Sequence, residues 1–235
     1  MLRNRNRATS SGAGVFNPAT QSVFFFSALV DGVKAGQLSL SGTSVTAWNE
    51  GRNNLPFVQA TGTSQPTYNS TGLDGTNPTV VFDGTSDNLD YLTGINTPAE
   101  WTVVALIKAN NNGAAKTIMS GGNGSLELDI TSSMKVNVVR QQQVSVLMGA
   151  ATLTSGQLYL ISAQGGASGT KIYINGILDA SNSTNPAIVT SFKFLGDRNG
   201  VQYYSGEIPC LMMAEGSSDS LRQQMEGWVV RTYGI

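Results

Sequence analysis

The feature that most constrains the fold is a series of short apolar segments and turn-forming residues between positions 48 and 87. An aromatic strand end at Trp48 is followed by a polar loop, and a Gly-Leu-Asp-Gly turn occupies positions 72–75. A short apolar segment at 79–82 then stops at Asp83 and Gly84. Because Gly, Asn, Asp and Pro tolerate or preset turn dihedral angles, this order predicts short strands joined by tight turns.

The composition fits one large all-β domain. The chain has 235 residues, of which 12% are charged, with 15 acidic and 14 basic side chains. No net field therefore attracts nucleic acid or an anionic membrane, and we expect neither nucleic-acid binding nor membrane insertion. The apolar run at 23–30 has only eight residues and is too short to span a bilayer. One cysteine permits no internal disulfide, which indicates synthesis in a reducing compartment.

Short apolar or alternating segments predict thirteen strands and almost no helix. They lie at 23–30, 37–41, 45–48, 79–82, 102–109, 117–120, 126–130, 135–140, 144–148, 157–163, 171–174, 192–195 and 207–214. The segment at 102–109 is almost continuously apolar, so we expect a central strand covered on both faces. We divide the chain into an N-terminal arm at 1–15 and one domain at 16–235.

Two later segments have well-defined local signatures. Asn175 and Gly176 stand between alternating apolar residues, which predicts a two-residue hairpin turn. Ser218 is the predicted N-cap of a C-terminal helix, and Gly234 can end that helix in the left-handed conformation. The apolar stripe expected on the helix consists of Leu221, Met225, Trp228, Val229 and Thr232.

Taken in order, the turn-rich segment at 48–87, the hairpin at 172–178 and the C-terminal helix resemble concanavalin A-like (laminin-G-like) jelly-roll domains. Such domains are common in bacteriophage virion proteins and bacterial surface proteins, and the resemblance extends from about residue 16 to residue 235. It implies an all-β jelly-roll sandwich of two antiparallel sheets with one C-terminal helix. Because this fold serves lectins, glucanases, adhesion modules and virion proteins, it does not by itself imply an activity.

Catalytic chemistry is restricted by the residues that the chain lacks. The absence of histidine excludes a Ser-His-Asp triad, a Cys-His pair and a histidine-ligated zinc ion. Cys210 lies in the apolar run at 208–213, so we expect a buried structural thiol. We predict that the protein is not an enzyme, and we assign no catalytic, cofactor-binding or metal-binding residue.

One segment resembles the active-site strand of laminarinase-type glucanases. In Leu126-Glu127-Leu128-Asp129-Ile130, the two carboxylates alternate and should share one face of a strand. Thr131 and Ser132 occupy both positions where the family's second Glu could stand. A retaining glycosidase needs two carboxyl groups about 5–5.5 Å apart, so the resemblance does not include a complete catalytic pair.

Two binding alternatives stay open at this point. Asp83, Asp87 and Asp90 offer oxygen ligands that suit calcium, although the first of these is also the expected residue of a strand-ending turn. A glycan site would need exposed aromatic side chains beside amide and hydroxyl groups. The candidate aromatic residues are Tyr68, Tyr91, Trp101, Tyr203 and Tyr204, each of which could equally be a core or subunit contact.

The N-terminal arm is the predicted anchor to other proteins. Arg3, Arg5 and Arg7 alternate with asparagines, and their guanidinium groups could pair with carboxylates or carbonyl groups of a neighbour. We therefore expect a non-enzymatic structural protein of a bacteriophage particle, a capsid decoration or accessory virion protein made in the host cytoplasm. Its partners would be other virion proteins, including copies of itself. The alternative is a tail-associated adhesin that binds a host-surface glycan.

Overall fold

The computed structural model describes residues 16–28, 37–121, 126–140, 144–184, 191–198 and 200–235. The predicted arm at 1–15, with Arg3, Arg5 and Arg7, lies outside the described residues. No helix among the described residues is both long and apolar enough to cross a bilayer.

The described residues form antiparallel strands, two short helical turns and one long helix. The strands are β1 (Phe24–Ser27), β2 (Leu38–Ser41), β3 (Ser44–Asn49), β4 (Pro56–Val58), β5 (Thr67–Asn69), β6 (Thr79–Asp83), β7 (Leu89–Asn96), β8 (Trp101–Ala109), β9 (Lys116–Ser120), β10 (Leu126–Ile130), β11 (Val136–Arg140), β12 (Val144–Met148), β13 (Leu158–Gly166), β14 (Gly169–Ile174), β15 (Ile177–Asn182), β16 (Ser191–Leu195) and β17 (Ser205–Glu215). The helical elements are Pro18–Gln21, the 3-10 turn Gly62–Ser64 and the C-terminal helix Asp219–Tyr233.

The strands pair in two layers. The helix-side sheet has the order β15–β14–β13–β8–β17, and β17 continues the sheet by pairing with β1 along one part and with β6 along another. The second sheet has the order β2–β3–β4–β7–β16–β9–β10–β11–β12. Strand β5 pairs with β6 and, through one residue pair, with β3, so the two layers connect into one network. The predicted all-β jelly-roll architecture with antiparallel sheets is confirmed.

Strand β8 shows how the core is divided. Val103, Ala105 and Ile107 lie in the cluster between the sheets, together with side chains from the second sheet such as Phe57. Val104 and Leu106 face the opposite way and pack in the cluster beneath the C-terminal helix. Because both faces of β8 are covered, nearly every position along it is apolar, as the sequence predicts.

The C-terminal helix begins and ends as predicted. The Ser218 hydroxyl accepts a hydrogen bond from the Leu221 amide at 3.2 Å, and Gly234 has a φ of 69°. Tyr233 anchors the end of the helix to the helix-side sheet, because its hydroxyl donates to the Pro209 carbonyl oxygen at 2.7 Å. Trp228 packs edge-on against Phe25, with ring centroids 5.1 Å apart.

Four strands and two short helical elements, Pro18–Gln21 and the 3-10 turn Gly62–Ser64, differ from the sequence prediction. The sequence pattern did not indicate β4, β5 or β7 as strands. Of β15, it predicted only the first two residues, as part of the hairpin at 172–178. The hairpin turn itself is confirmed, because Asn175 and Gly176 have φ angles of 52° and 78°. The four-residue helix Pro18–Gln21 was also not expected; the Asn17 side chain caps it by accepting from the Ala19 amide at 3.1 Å.

Candidate functional site

The outer face of the second sheet carries acidic side chains that are buried or half-buried. Leu89, Leu126 and Leu128 belong to the core between the sheets. Successive side chains on a strand point to opposite faces, so Asp90 on β7 and Asp129 on β10 belong to the outer face. The strands β16 and β9 lie between these two strands and complete the same surface.

Glu127 and Asp129 share this face, as predicted, but they do not line an open cleft. Their exposed fractions are only 2% and 5%. Burial, followed by the charge of Glu127, raises the pKa of Asp129 to about 8. Burial also raises the pKa of Glu127, while the Arg198 guanidinium, 3.9 Å from Glu127 Oε2, opposes that shift.

A loop at residues 196–204, apart from position 199, packs beside these carboxyl groups. The Ser120 hydroxyl donates to the Asp197 carbonyl oxygen at 2.9 Å, and the Thr117 hydroxyl donates to Gln202 Oε1 at 3.3 Å. These contacts hold the loop against β9 and bring Arg198 to β10. No local sequence pattern could have predicted that this loop packs beside the two carboxyl groups, since the contacts join segments that are distant in the chain.

The position of the family's second Glu has a structural role in this chain. The Thr131 hydroxyl accepts a hydrogen bond from the Lys135 amide at 3.0 Å and contacts the Ser133 hydroxyl, also at 3.0 Å. Thr131 therefore closes the turn between β10 and β11. Ser132 is exposed. Neither residue supplies a carboxyl group opposite Glu127, so positions 127–132 do not form the paired carboxylates of a retaining glycosidase.

A second polar group lies beside the loop, on β7 and the segments around it. The Asp197 carboxylate accepts two hydrogen bonds from the Gly200 amide, at 2.9 and 2.7 Å. It also accepts from Asn88 Nδ2 at 3.0 Å, and Gln59 Nε2 in turn donates to Asn88 Oδ1. This chain of amide and carboxylate groups is fixed by its own hydrogen bonds, so its shape is set before any ligand arrives.

Asp90, on β7, has one carboxylate oxygen without a hydrogen-bond donor among the described residues. Its Oδ1 atom is buried and accepts no hydrogen bond from a described residue. Burial, followed by the charge of Asp197, raises the pKa of Asp90 to about 6. Burial likewise raises the pKa of the neighbouring Asp87 to about 6.

Tyr203 lies in the loop that carries Asp197 and Gly200, and it is half-buried. Burial, followed by the charges of Asp197, Asp83 and Asp90, raises the pKa of the Tyr203 hydroxyl. A Cβ atom built on Gly200 would lie 3.6 Å from that hydroxyl. We call this group the Tyr203 cluster; its members are Gln59, Asn88, Asp90, Asp197 and Tyr203.

The other predicted glycan-contacting aromatics belong to the core or pack against it. Trp101 and Tyr204 are 1% and 0% exposed. Tyr68 and Tyr91 are partly buried against the core between the sheets, and the Tyr91 ring lies 5.6 Å from the Phe57 ring. Of the five candidates, Tyr203 is the one that the fold places beside convergent polar groups.

The alternative of a calcium site at Asp83, Asp87 and Asp90 does not fit the geometry. Asp83 Oδ1 accepts the amides of Thr85 and Ser86, each at 2.8 Å, so this carboxylate closes its own turn. Asp87 Oδ2 accepts the Asp83 amide at 2.9 Å. Among the described residues, no three His, Cys, Asp or Glu side chains are arranged to hold a metal ion.

Cys210 is a buried thiol on β17, as predicted. Its exposed fraction is 0%, and burial raises its pKa far above the ordinary value. Because the thiolate is the reactive form, this cysteine is not a nucleophile in the folded protein.

Known structures share the fold at low sequence identity. Trypanosoma rangeli sialidase in complex with sialic acid superposes with a TM-score of 0.59 at 12% identity, over 92% of this chain and 34% of the sialidase chain. Domain 4 of an extracellular arabinanase from Geobacillus stearothermophilus, in complex with arabinotriose, gives a TM-score of 0.58 at 15% identity, over 85% and 95% of the two chains. The chain thus spans about a third of the sialidase it matches. At these identities the similarity shows the fold alone.

Sequence comparison gives the family. No curated protein sequence matches the chain. A family model for the concanavalin A-like lectin/glucanases superfamily matches residues 74–215, which is more than half of the chain. This region includes most of the strands of both sheets, the Asn175-Gly176 hairpin and four members of the Tyr203 cluster. The chain belongs to the concanavalin A-like lectin/glucanases superfamily.

Proposed function

We propose that this protein is a non-catalytic glycan-binding domain and that the Tyr203 cluster is its binding site. The observation that carries the proposal is the half-buried Tyr203 ring close to Gly200, whose amide donates to the Asp197 carboxylate, to which Asn88 also donates. Binding sites for small molecules combine aromatic surface with a few fixed polar groups, which is the combination present here. The fold can accommodate this role, since the arabinanase domain that shares it was solved with arabinotriose.

The same face supports binding without catalysis. Glu127 and Asp129 are buried beside the loop at 196–204, and Thr131 closes a turn where the family's second Glu could stand. Hydrolysis with retention needs a nucleophile and an acid within reach of one glycosidic bond. The proposal therefore assigns this face to recognition.

A glycan array tests the proposal. The purified protein should bind at least one class of glycan, and Tyr203→Ala should weaken that binding at least about tenfold, because aromatic residues are the usual energetic centres of binding sites. Tyr203→Phe retains the ring and should preserve most of the affinity. Tyr159→Ala, which removes a half-buried tyrosine from the helix-side sheet, should leave binding unchanged. Silence across the array would contradict the proposal.

The second candidate is a structural role in a bacteriophage particle, as a capsid decoration or accessory virion protein. It is favoured by the low charged fraction of 12% and by the arm with Arg3, Arg5 and Arg7. The two roles are compatible, because a tail-associated adhesin would carry both an anchor and a glycan site. Deleting residues 1–14 should abolish incorporation into particles while circular dichroism shows a folded domain. Unchanged incorporation of the truncated protein would contradict the anchoring role.

A further inference from the structure

Two Asn-Gly pairs lie wholly within the described residues, and the fold places them in different surroundings. Asn112 and Gly113 lie in the loop between β8 and β9, whereas Asn175 and Gly176 form the hairpin turn between β14 and β15. In an Asn-Gly pair the side-chain amide reacts readily with the next backbone nitrogen, because glycine has no side chain to hinder the approach. The two pairs therefore share one intrinsic chemistry, and the fold alone distinguishes them.

The Asn112-Gly113 pair is open to solvent. Every residue from 110 to 114 is exposed, and a Cβ atom built on Gly113 would meet no atom within 4 Å. Asn112 Oδ1 accepts a hydrogen bond from the Ala114 amide at 3.2 Å, so the side chain bends toward the backbone that follows it. The Gly113 amide donates to Oδ1 of the exposed Asn111 at 3.0 Å. Both hydrogen bonds join neighbours in the loop, so the reaction needs a movement of this loop alone.

The Asn175-Gly176 pair is bound to the adjacent strand. The Asn175 amide donates to the Leu160 carbonyl oxygen on β13 at 2.8 Å. Asn175 Oδ1 accepts a hydrogen bond from the Leu160 amide at 3.0 Å. For the side-chain carbon to reach the Gly176 nitrogen, the side chain must first leave β13 and the turn must change conformation. The hairpin therefore protects this asparagine by requiring local opening of the sheet before the reaction.

We propose that Asn112 is a site of spontaneous deamidation and that the fold protects Asn175 from the same reaction. The Gly113 nitrogen loses its proton and attacks Cγ of Asn112. A bond forms between this nitrogen and Cγ, the bond from Cγ to Nδ2 breaks, and Nδ2 takes up a proton and leaves as ammonia. Water then opens the cyclic imide at either carbonyl carbon, which gives aspartate or isoaspartate. Water is the co-reactant, no electron transfer is involved, and the inference does not depend on glycan binding.

The reaction places a negative charge near the end of β6. A Cβ atom built on Gly84 would lie 3.0 Å from Asn112 Nδ2. The new carboxylate at position 112 would therefore stand beside the turn that Asp83 closes. The modified protein should separate from the unmodified protein as a more acidic species in ion-exchange chromatography.

Peptide mapping by mass spectrometry, on protein aged in mildly alkaline buffer, tests the proposal. We expect Asn112 to react at least about tenfold faster than Asn175, because each hydrogen bond that must open reduces the reactive population of the hairpin severalfold. In concentrated urea the two rates should be similar, since the intrinsic chemistry is the same. Equal rates in the folded protein, faster reaction at Asn175, or no reaction at Asn112 would overturn the proposal.

The products show whether the cyclic imide is formed. The imide gives isoaspartate, which an isoaspartyl methyltransferase labels, whereas direct hydrolysis by water gives aspartate alone. Asn112→Gln should abolish labelling of the peptide that contains position 112, because the longer side chain closes a larger ring much more slowly. The matched control is Asn69→Gln. Asn69 is also exposed and accepts the Thr71 amide at 3.1 Å, but Ser70 follows it, so this variant should leave the labelling unchanged. Aspartate without isoaspartate at position 112 would contradict the imide route.

Discussion

At the residue scale, Asp129 has a buried carboxyl group whose proton stays bound near neutral pH. Its pKa is raised from 3.8 to about 8, first by burial and then by the charge of Glu127. The folded state therefore binds this proton more tightly than the unfolded chain does. The resulting contribution to stability is fully present below about pH 4 and is lost as the pH rises through about 8.

This linkage predicts how the free energy of unfolding varies with pH. Between about pH 4 and pH 8 it should fall as the pH rises, and Asp129→Asn should flatten that slope because the amide has no proton to lose. Urea unfolding at several pH values measures the effect. The control Glu215→Gln, at an exposed position at the end of β17, should retain the slope of the wild type. An Asp129→Asn variant with the same slope as the wild type would contradict the assignment.

Two carboxylates in turns determine how the free energy of unfolding falls at acidic pH. Hydrogen bonds from Thr76 and Asn77 hold the pKa of Asp74 at about 2. Burial raises the pKa of Asp83, but the donors of the turn after β6 outweigh it and hold that pKa below its ordinary value. Their contributions are present above the unfolded pKa and are lost as the pH falls through the folded pKa. Stability should therefore be highest in mildly acidic solution.

At the element scale, the C-terminal helix is attached to its sheet by buried charge as well as by apolar packing. Arg222 Nη1 donates to both carboxylate oxygens of Glu226 at 2.7 Å, and the Ser162 hydroxyl donates to the same carboxylate at 2.7 Å. The Arg222 guanidinium also lies 3.8 Å from the centroid of the Tyr173 ring. These contacts fix the helix across β13 and β14.

Removing one partner of this group should be costly. Arg222→Ala leaves the Glu226 carboxylate buried without its cation, which should lower the free energy of unfolding by about 3 kcal/mol or more. Arg231→Ala removes an exposed cation from the same helix and should change stability by less than about 0.5 kcal/mol. Urea unfolding of the two variants gives the comparison. Similar, small effects from both would show that the buried pair does not hold the helix.

The elements also show which parts of the fold the sequence can predict. Strands such as β8 and β17 were predictable because both of their faces are buried, which requires apolar residues at nearly every position. Strands β4 and β5 have three residues each, too few for a pattern to emerge. Strand β7 carries a half-buried Asp90 and an exposed Thr93, and its pairing with β16 shifts register, so its sequence does not alternate cleanly.

At the scale of the whole molecule, the sequence could predict only those features of the candidate site that neighbouring residues define. Alternation along β10 was enough to predict that Glu127 and Asp129 share a face, because that relation is local. Their burial depends on Arg198 and Gln202, which reach β10 and β9 through contacts between distant segments. The selection of Tyr203 from five aromatic candidates also required the fold, since the sequence does not tell a core tyrosine from one beside polar groups.

The central claim is that glycans bind at the Tyr203 cluster on the outer face of the second sheet. The most direct measurement is an NMR titration of the isotopically labelled protein with the oligosaccharide that binds most tightly on the array. We expect the largest shift changes at the side-chain amides of Gln59 and Asn88 and at the backbone amides of Gly200 and Tyr203. Saturating shifts confined to the helix-side sheet or to the exposed hairpin end at Ile177 would contradict the account.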